Sequence, residues 1–317
     1  MIISRTPLRV SFVGGGTDMK YFYKQTPGSV ISMAIDKYIY IIVKKRYDKN
    51  IVLNYSEREI VSSVKEIKHT LIKACLDMVD IKDSIEITSI ADIPSQGSGL
   101  GSSSTFTVGL LNALFTLKGE NLDQEELARL ACKIEIDICN APIGKQDQYG
   151  ASIGGLKKIT FQSNEDVKIE IIADNNNLYR NLENQLIIVN SNIVRSASEI
   201  LEKQKKNIST NIDRLKFFPA LVDQFEEYLN NQSFEAIYAQ LDHYWKEKKT
   251  LVQSSVKKDL EKIYDFHVPE YCHSGKICGA GGGGYFMFFK KEDNGLNLKE
   301  YFDVKIDRSG SVIIYNN

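Results

Sequence analysis

The sequence predicts an α+β protein with two domains. Its 317 residues suggest two domains, because a single domain typically holds roughly 150 residues. Short strand patterns dominate the chain before about residue 160, and long helical patterns dominate after it. Strands followed by helices are typical of α+β folds, whereas regular alternation of the two is typical of α/β folds. The expected domains are residues 1–180 and 181–317.

The N-terminal half contains several strand and helix patterns. Apolar residues at every second position predict a strand at 7–13, which ends at three consecutive glycines. Further strands are predicted at 30–35, 38–46, 51–55 and 84–90, and helices at 61–79, 102–117 and 124–140. A loop that begins at Pro142 then enters a short helix.

The C-terminal half is predicted to be mainly helical. A polar, Asn-rich connection at 173–185 precedes the apolar strand LIIVN at 186–190. Helical segments are predicted at 196–207, 210–230 and 234–264. A glycine-rich loop at 279–284 then enters an apolar strand at 285–290.

Composition argues against several classes of function. With 40 basic and 41 acidic residues, the chain lacks the basic excess of a nucleic-acid-binding protein. The short basic runs at 44–46 and 246–249 are expected to lie on solvated faces. Five cysteines without a C-x-x-C pair indicate neither a zinc site nor a disulfide framework. Apolar runs are too short to span a bilayer, and no signal segment opens the chain, so we expect no membrane partner and a cytoplasmic location.

The segment GSGLGSSSTFTVG at 97–109 is a candidate phosphate site. It lies between a predicted strand and a predicted helix, where backbone N–H groups and the helix dipole favour phosphate oxygens. It is not a P-loop, because no G-x-x-x-x-G-K-[ST] motif is present. A plain Gly/Ser turn with a serine cap explains the same letters equally well.

Other features leave the chemistry open. The run GAGGGG at 279–284 matches G-x-G-x-x-G, but a strand follows it instead of a helix, which argues against a dinucleotide site and a dehydrogenase. Glu135 and Asp147 are acids of the kind that phosphoryl transfer needs for a metal ion and for the acceptor hydroxyl. Taken singly, an acid such as Glu135 is more often a surface residue of a helix, and one such as Asp147 is more often a loop cap.

Three separated motifs resemble the GHMP kinases, a family named for galactokinase, homoserine kinase, mevalonate kinase and phosphomevalonate kinase. They are TPLRVSFVGGGTD at 6–18, PSQGSGLGSSSTFTVG at 94–109 and KICGAGGGGYFMFF at 276–289. The segment EIDICNAPIGKQDQYG at 135–150 resembles the part that carries the family's active-site acid. The resemblance implies an N-terminal domain like domain 2 of ribosomal protein S5, a ferredoxin-like C-terminal domain, and an active site between them.

The resemblance also implies cofactors and site residues. ATP and Mg²⁺ are the implied cofactors, Asp147 and Arg9 the catalytic residues, and Ser103 and Glu135 the magnesium ligands. The implied ATP-binding residues are Gly97, Ser98, Gly99, Leu100, Gly101, Ser102, Ser103 and Ser104. The implied substrate-binding residues are Gly16, Thr17, Asp18, Lys145, Arg195, Gly282 and Gly283.

Four segments carry a narrower resemblance: LRVSFVGGGTD at 8–18, GKQDQYGASIGG at 144–155, VRSASEIL at 194–201 and KICGAGGGGYFMFF at 276–289. Within the family they resemble the D-glycero-D-manno-heptose 7-phosphate kinases more than galactokinase. Galactokinase has Gly-Glu-His before its Thr-Asp pair, whereas this chain has three glycines at 14–16. The resemblance implies transfer to the anomeric hydroxyl of a sugar phosphate, with Lys145 and Arg195 as candidates for binding the phosphate of the acceptor. Two alternatives stay open: an L-fucose kinase or other free-sugar 1-kinase, and a non-catalytic sensor of sugar and nucleotide.

Overall fold

The computed structural model describes residues 1–94, 97–172, 176–193, 208–249, 254–268, 270–292 and 301–317. Within these ranges the strands form one sheet of eight strands and one of four, and helices pack against both. Strands and helices are therefore both present in the N-terminal and C-terminal halves. This is the α+β architecture that the sequence predicts.

The larger sheet is built mainly from the first half of the chain. Its strands are β1 (Ile2–Val13), β2 (Gly28–Lys45), β3 (Ile51–Asn54), β4 (Arg58–Val61), β5 (Ile85–Ala91), β6 (Leu156–Phe161), β7 (Val167–Ile171) and β12 (Val312–Asn316). The strand order is β12-β1-β2-β5-β3-β4, with β6 and then β7 continuing from the first part of β2. Only the β3–β5 pair among these strands is parallel.

The structure describes five α-helices in the first half of the chain. They are α1 (Lys20–Tyr23), α2 (Thr70–Met78), α3 (Ser102–Leu117), α4 (Gln124–Cys132) and α5 (Gln146–Ser152). Helix α3 is buried along nearly its whole length and packs on β1 and β2. A helix that is buried on all sides is held by its contacts with the core. The N-terminus of α3 is therefore fixed at the end of the glycine loop.

The smaller sheet lies in the second half of the chain. Its strands β8 (Leu186–Asn190), β9 (Cys272–Ile277), β10 (Tyr285–Lys290) and β11 (Tyr301–Asp303) pair antiparallel in the order β11-β8-β10-β9. The helices of this half are α6 (Asn176–Gln185), α7 (Ile208–Leu215), α8 (Phe218–Asn230), α9 (Phe234–Lys248) and α10 (Ser254–His267). The ring of Phe12 lies 5.7 Å from Phe225 and 6.3 Å from Phe289. One apolar core therefore joins both sheets.

Five sequence predictions of element boundaries were wrong. The helix predicted at 210–230 is two helices, α7 and α8. The strands predicted at 30–35 and 38–46 are the single strand β2, because Asp36 and Lys37 form a bulge opposite the Pro7–Leu8 step. The helix predicted at 61–79 is shorter, since β4 and a 3₁₀ turn at Val64–Glu66 occupy its start. The helix predicted at 124–140 becomes a π-helix at Lys133–Ile138. The helix predicted at 234–264 is two helices, α9 and α10.

The predicted domain boundary at residue 180 stays a prediction. The polar segment at 173–185 was expected to be a connection, but its residues Asn176–Gln185 form a helix. Strand β12 returns to pair with β1, and Ile306 forms a bridge with Ile35. The helix predicted at 196–207 lies outside the described residues. Over the described ranges, no helix combines the length and apolarity needed to cross a membrane.

Candidate active site

A cleft of about 550 Å³ lies at the N-terminal end of helix α3. Its walls come from the loop after β1, the glycine loop before α3, the segment between the π-helix and α5, and the end of α9. A glycine loop of the second half, at Gly279 and Ala280, completes it. The cleft thus joins residues that are up to about 270 positions apart in the sequence.

The glycine loop at 97–101 forms one wall and ends in helix α3. Gly97, Gly99 and Gly101 have positive φ angles of 66°, 73° and 80°. A Cβ on Gly99 would lie 2.8 Å from the carbonyl oxygen of Cys278, so the close approach of the two glycine loops requires glycine there. The residues that open α3 line the cleft, and the first N–H groups of a helix have no partner within the helix, which suits a phosphate ligand.

The three serines that open α3 differ in exposure. Ser102 and Ser104 are buried, and Ser103 is exposed to the cleft. The hydroxyl of Ser102 lies 2.9 Å from that of Ser98 inside the loop. Leu100 is fully buried in the core, and its backbone oxygen accepts a hydrogen bond from the Arg9 N–H at 3.0 Å. The side chain of Leu100 therefore supports the loop from behind.

Glu135 lies in the π-helix beside these serines, with an exposed fraction of 1 %. Ser103 and Ser104 donate to its carboxylate at 3.0 and 2.7 Å, and Thr107 and Gln148 donate as well. Burial nevertheless raises the pKa of Glu135, and the negative charge of Asp147 raises it further. A π-turn displaces a side chain from the regular helical register and is frequent at functional sites.

Arg9 and Asp147 form the central ion pair of the cleft. The Nε and Nη2 atoms of Arg9 donate to Oδ1 of Asp147 at 2.9 and 2.6 Å, and Nη1 donates to the carbonyl oxygen of Gly99 at 2.8 Å. Arg9 is 2 % exposed, whereas the Asp147 side chain is 28 % exposed. Within the described residues no group donates to Oδ2 of Asp147, so this oxygen can accept a hydrogen bond from a ligand.

Asp18 occupies the same wall as Asp147. It accepts hydrogen bonds from the N–H of Gly16 at 3.0 Å and from the backbone and side-chain nitrogens of Gln146, both at 3.2 Å. Burial raises the pKa of Asp18, and the nearby Asp147 raises it further. Two carboxylates with different donors face one cavity, which is an arrangement suited to binding several hydroxyl groups of one ligand.

Several residues predicted to bind substrate do not line the cleft. The Thr17 hydroxyl bonds to the carbonyl oxygens of Gly14 and Ser29 within the loop. Gly282 and Gly283 are buried. At Gly283, a Cβ would lie 2.2 Å from the carbonyl oxygen of Ile193. The cleft lining does not include these three residues, and their assignment to substrate binding stays a prediction.

Lys145 also points away from the cleft. Its Nζ donates to the carbonyl oxygen of Glu165 at 2.9 Å and lies 4.9 Å from the centre of the Tyr23 ring. It lines a separate cavity between α4 and the β6–β7 hairpin. Arg195 lies outside the described residues. The structure therefore does not bring Lys145, one of the two predicted acceptor-phosphate ligands, to the cleft.

Sequence reasoning missed Lys248. It belongs to the basic run that was expected to be solvated, yet it is 8 % exposed and lines the cleft. Its position was detectable from helical spacing, since Leu241 and Tyr244 precede it by seven and four residues on the buried face of α9. The sequence reasoning also missed Gln146, which orients Asp18.

Ser103 and Glu135 fit a magnesium site. An ionised carboxylate that is buried without a cation is unfavourable and is usually paired or bound to a metal, and the exposed Ser103 hydroxyl lies 3.0 Å from it. In the described residues no three His, Cys, Asp or Glu side chains cluster as a metal site. Mg²⁺ requires no such cluster, because it typically uses one or two carboxylates and takes its other ligands from phosphate and water.

Comparison with known proteins supports the family predicted from the motifs. The sequence profile of the GHMP kinases N terminal domain matches residues 60–155. The D-glycero-alpha-D-manno-heptose 7-phosphate kinase of Campylobacter jejuni is 29 % identical over 94 % of this chain and 91 % of its own length. The L-fucokinase/L-fucose-1-P guanylyltransferase of Bacteroides fragilis is 25 % identical over 92 % of this chain, which spans 35 % of that protein.

The fold is also that of known kinases. The crystal structure of a D-glycero-D-manno-heptose 1-phosphate kinase from Bacteroides thetaiotaomicron superposes with a TM-score of 0.82, at 21 % identity and over the full length of both chains. Galactokinase of Lactococcus lactis, solved with galactose, gives a TM-score of 0.77 at 16 % identity, over 98 % of this chain and 94 % of its own. The predicted two-domain fold is confirmed, and residues 60–155 match the N-terminal domain of the GHMP kinases.

Proposed function

We propose that this chain is an ATP- and Mg²⁺-dependent sugar kinase that phosphorylates the anomeric hydroxyl of D-glycero-D-manno-heptose 7-phosphate. The product would be the 1,7-bisphosphate, a precursor for nucleotide-activated heptose. The observation that carries the proposal is the Arg9–Asp147 pair, which faces both the glycine loop and Asp18 in one cleft. The similarity to the Campylobacter heptose 7-phosphate kinase suggests the sugar.

The nucleotide would bind by its phosphates at the start of α3. Its β- and γ-phosphates would accept hydrogen bonds from the backbone N–H groups of 97–104, and the helix dipole would favour their charge. Ser103 and Glu135 would hold Mg²⁺, which when bound neutralises charge on the phosphate oxygens. The geometry supports this role for Ser103, because it is the exposed serine of the three that open α3.

Asp147 would orient the acceptor hydroxyl through Oδ2. Arg9 fixes Oδ1 through two hydrogen bonds, so the carboxylate has one defined orientation. Phosphoryl transfer has a loose transition state that gains little from a strong base. Asp147 would therefore align the hydroxyl for in-line attack and accept its proton as the new O–P bond forms. The bond from the γ-phosphorus to the β–γ bridging oxygen breaks in the same step and ADP leaves, while Arg9 offsets the charge of the transferred phosphoryl group.

Asp18 would bind sugar hydroxyls beside the reacting one. Its raised pKa reflects burial, and hydroxyl donors from a sugar would stabilise its ionised form. Gly16 and Gly15 line the same wall without side chains, which leaves room for a ring. Galactokinase has Gly-Glu-His where this chain has three glycines, so a sugar other than galactose is consistent with this difference.

A coupled ADP-release assay tests the proposal directly. Purified enzyme with Mg-ATP is assayed against heptose 7-phosphate, free heptose, L-fucose, galactose and mevalonate. The highest kcat/KM is expected for heptose 7-phosphate. A higher kcat/KM for an unphosphorylated sugar would contradict the heptose assignment and leave the kinase activity in place.

A free-sugar 1-kinase is the second candidate. The observation that favours it is the position of Lys145, whose ammonium group points away from the cleft. The similarity to the L-fucokinase of Bacteroides fragilis agrees with this alternative. The non-catalytic sensor is disfavoured, since the acids and the arginine that phosphoryl transfer needs are all present in one cleft.

A further inference from the structure

Lys248 is a buried cation that the catalytic scheme above leaves without a function. It is the last residue of α9, and its Nζ donates to the carbonyl oxygen of Gly279 at 2.8 Å. No carboxylate of the described residues forms an ion pair with it. A lysine that is almost fully buried without an acidic partner is unusual, because lysines are rarely buried unless paired.

The surroundings of Lys248 are strongly cationic. Lys276 is 1 % exposed and donates to the carbonyl oxygen of Ser11, also without an acidic partner among the described residues. Burial lowers the pKa of Lys248 well below its usual value, and the nearby Lys276 lowers it further. Burial also lowers the pKa of Lys276 to about 8. An anion placed here would relieve this unfavourable concentration of positive charge.

The position of Lys248 identifies the kind of anion. Its hydrogen-bond partner Gly279 packs against Gly99 of the phosphate loop. On its other side, a Cβ on Gly15 would lie 4.0 Å from the ammonium nitrogen, and Gly15 neighbours the Asp18 wall. Lys248 is therefore located between the predicted nucleotide site and the predicted sugar site.

We propose that Lys248 binds a phosphate group in the cleft. This inference rests on the proposed kinase function and adds a phosphate ligand to it. The phosphate has two chemical sources, the γ-phosphate of the nucleotide and a phosphate carried by the acceptor. A compact ammonium group suits either, since Gly279 is the one acceptor among the described residues and uses one of its three donors.

The variants Lys248→Met and Lys248→Arg test the proposal, with Lys246→Met as the matched control. Lys246 belongs to the same helix, is 62 % exposed and pairs with Asp242. Isothermal titration calorimetry with inorganic tripolyphosphate measures phosphate binding without requiring turnover. We expect Lys248→Met to bind tripolyphosphate about ten- to hundredfold more weakly, because a hydrogen bond to a charged group contributes that much. Lys248→Arg should recover part of the loss, and Lys246→Met should bind like the wild type.

Two further ligand pairs separate the sources. Loss of affinity for Mg·AMP-PNP but not for Mg·ADP would assign Lys248 to the γ-phosphate. Loss of affinity for heptose 7-phosphate but not for free heptose would assign it to the acceptor. The wild-type enzyme could phosphorylate no sugar and still bind tripolyphosphate with an affinity that depends on Lys248. This result would refute the sugar kinase function and retain the present inference.

Proton uptake gives a second measurement that a purely structural lysine would not affect. At pH 8.5, calorimetry in buffers of different ionisation enthalpy should show proton uptake on binding to the wild type and less uptake for Lys248→Met, since an anion raises the pKa of the ammonium group. The charged or titratable groups that face Lys248 are Lys276, Cys278, Arg9, Asp18 and Tyr244. If Lys248→Met binds tripolyphosphate, Mg·AMP-PNP and heptose 7-phosphate like the wild type, the proposal is overturned, and Lys248 only supports the loop at Gly279.

Discussion

Replacing Asp147 with Asn separates the charge of this side chain from its shape. The wild-type carboxylate accepts two hydrogen bonds from Arg9 on Oδ1, and an amide oxygen can accept the same two. Hydrogen bonds to charged groups contribute about 1.5–3 kcal/mol each and neutral ones about 0.5–1.5 kcal/mol. Because the Asp147 side chain is 28 % exposed, solvent screens part of the difference, and we expect a net loss of stability of about 1–2 kcal/mol.

Turnover should fall much further than stability. A positioned group that takes a proton in the transition state typically contributes about 10²–10⁴-fold, whereas a loss of about 1–2 kcal/mol lowers the Tm of a protein of this size by only several degrees. The assay is a single-turnover measurement at 25 °C, which excludes product release, together with thermal unfolding. Asp137→Asn is the matched control, since Asp137 is exposed on the π-helix. A folded Asp147→Asn variant that keeps more than about a tenth of the wild-type single-turnover rate would refute the assigned role.

Three further results are expected. Ser103→Ala should weaken Mg·ATP binding about tenfold or more, as one hydrogen bond or ligand is lost, and leave sugar affinity near wild type; unchanged calorimetric Mg·ATP binding would exclude Ser103 as a ligand. Gly144→Ala would place a Cβ 2.0 Å from Oδ2 of Asp18, so the sugar KM should rise while the ATP KM does not; equal shifts in both would argue against a local displacement of Asp18. Burial lowers the pKa of Lys157 from 10.5 to about 7, so between these pH values the unfolded chain holds a proton that the folded protein has released, and the free energy of unfolding should rise with pH. Denaturant titrations at several pH values should show that the free energy of unfolding of Lys157→Met rises less steeply with pH than that of the wild type. An identical dependence on pH would rule out Lys157 as its source.

The sequence predicted the parts of the site that lie within short motifs. The glycine loop, Glu135, Arg9 and Asp147 were all named from the sequence, and the structure brings them into one cleft. Local chain geometry accounts only for the glycine loop, because a Gly-Ser loop before an apolar helix positions its own N–H groups. Glu135, Arg9 and Asp147 were named from the resemblance to the GHMP kinases, and their roles stay predictions.

Long-range packing explains what the sequence did not predict. Lys248 lies in a run of charged residues whose letters resemble a solvated face, and only the packing of α9 on β9 and β1 buries it. Lys145 follows a motif of the site, yet the β6–β7 hairpin supplies a carbonyl that holds it elsewhere. The π-turn at Glu135 and the bulge in β2 each insert residues that a regular periodic pattern does not encode.

Phosphorus-31 NMR of the reaction product tests the central proposal most directly. The enzyme is incubated with Mg-ATP and D-glycero-D-manno-heptose 7-phosphate, and the product is examined with and without proton decoupling. We expect a second sugar-phosphate resonance that couples to the anomeric proton, beside the original resonance of the 7-phosphate. No transfer to this sugar, or a new phosphate that couples to a proton on another carbon, would contradict the assignment of the chain as a heptose 7-phosphate 1-kinase.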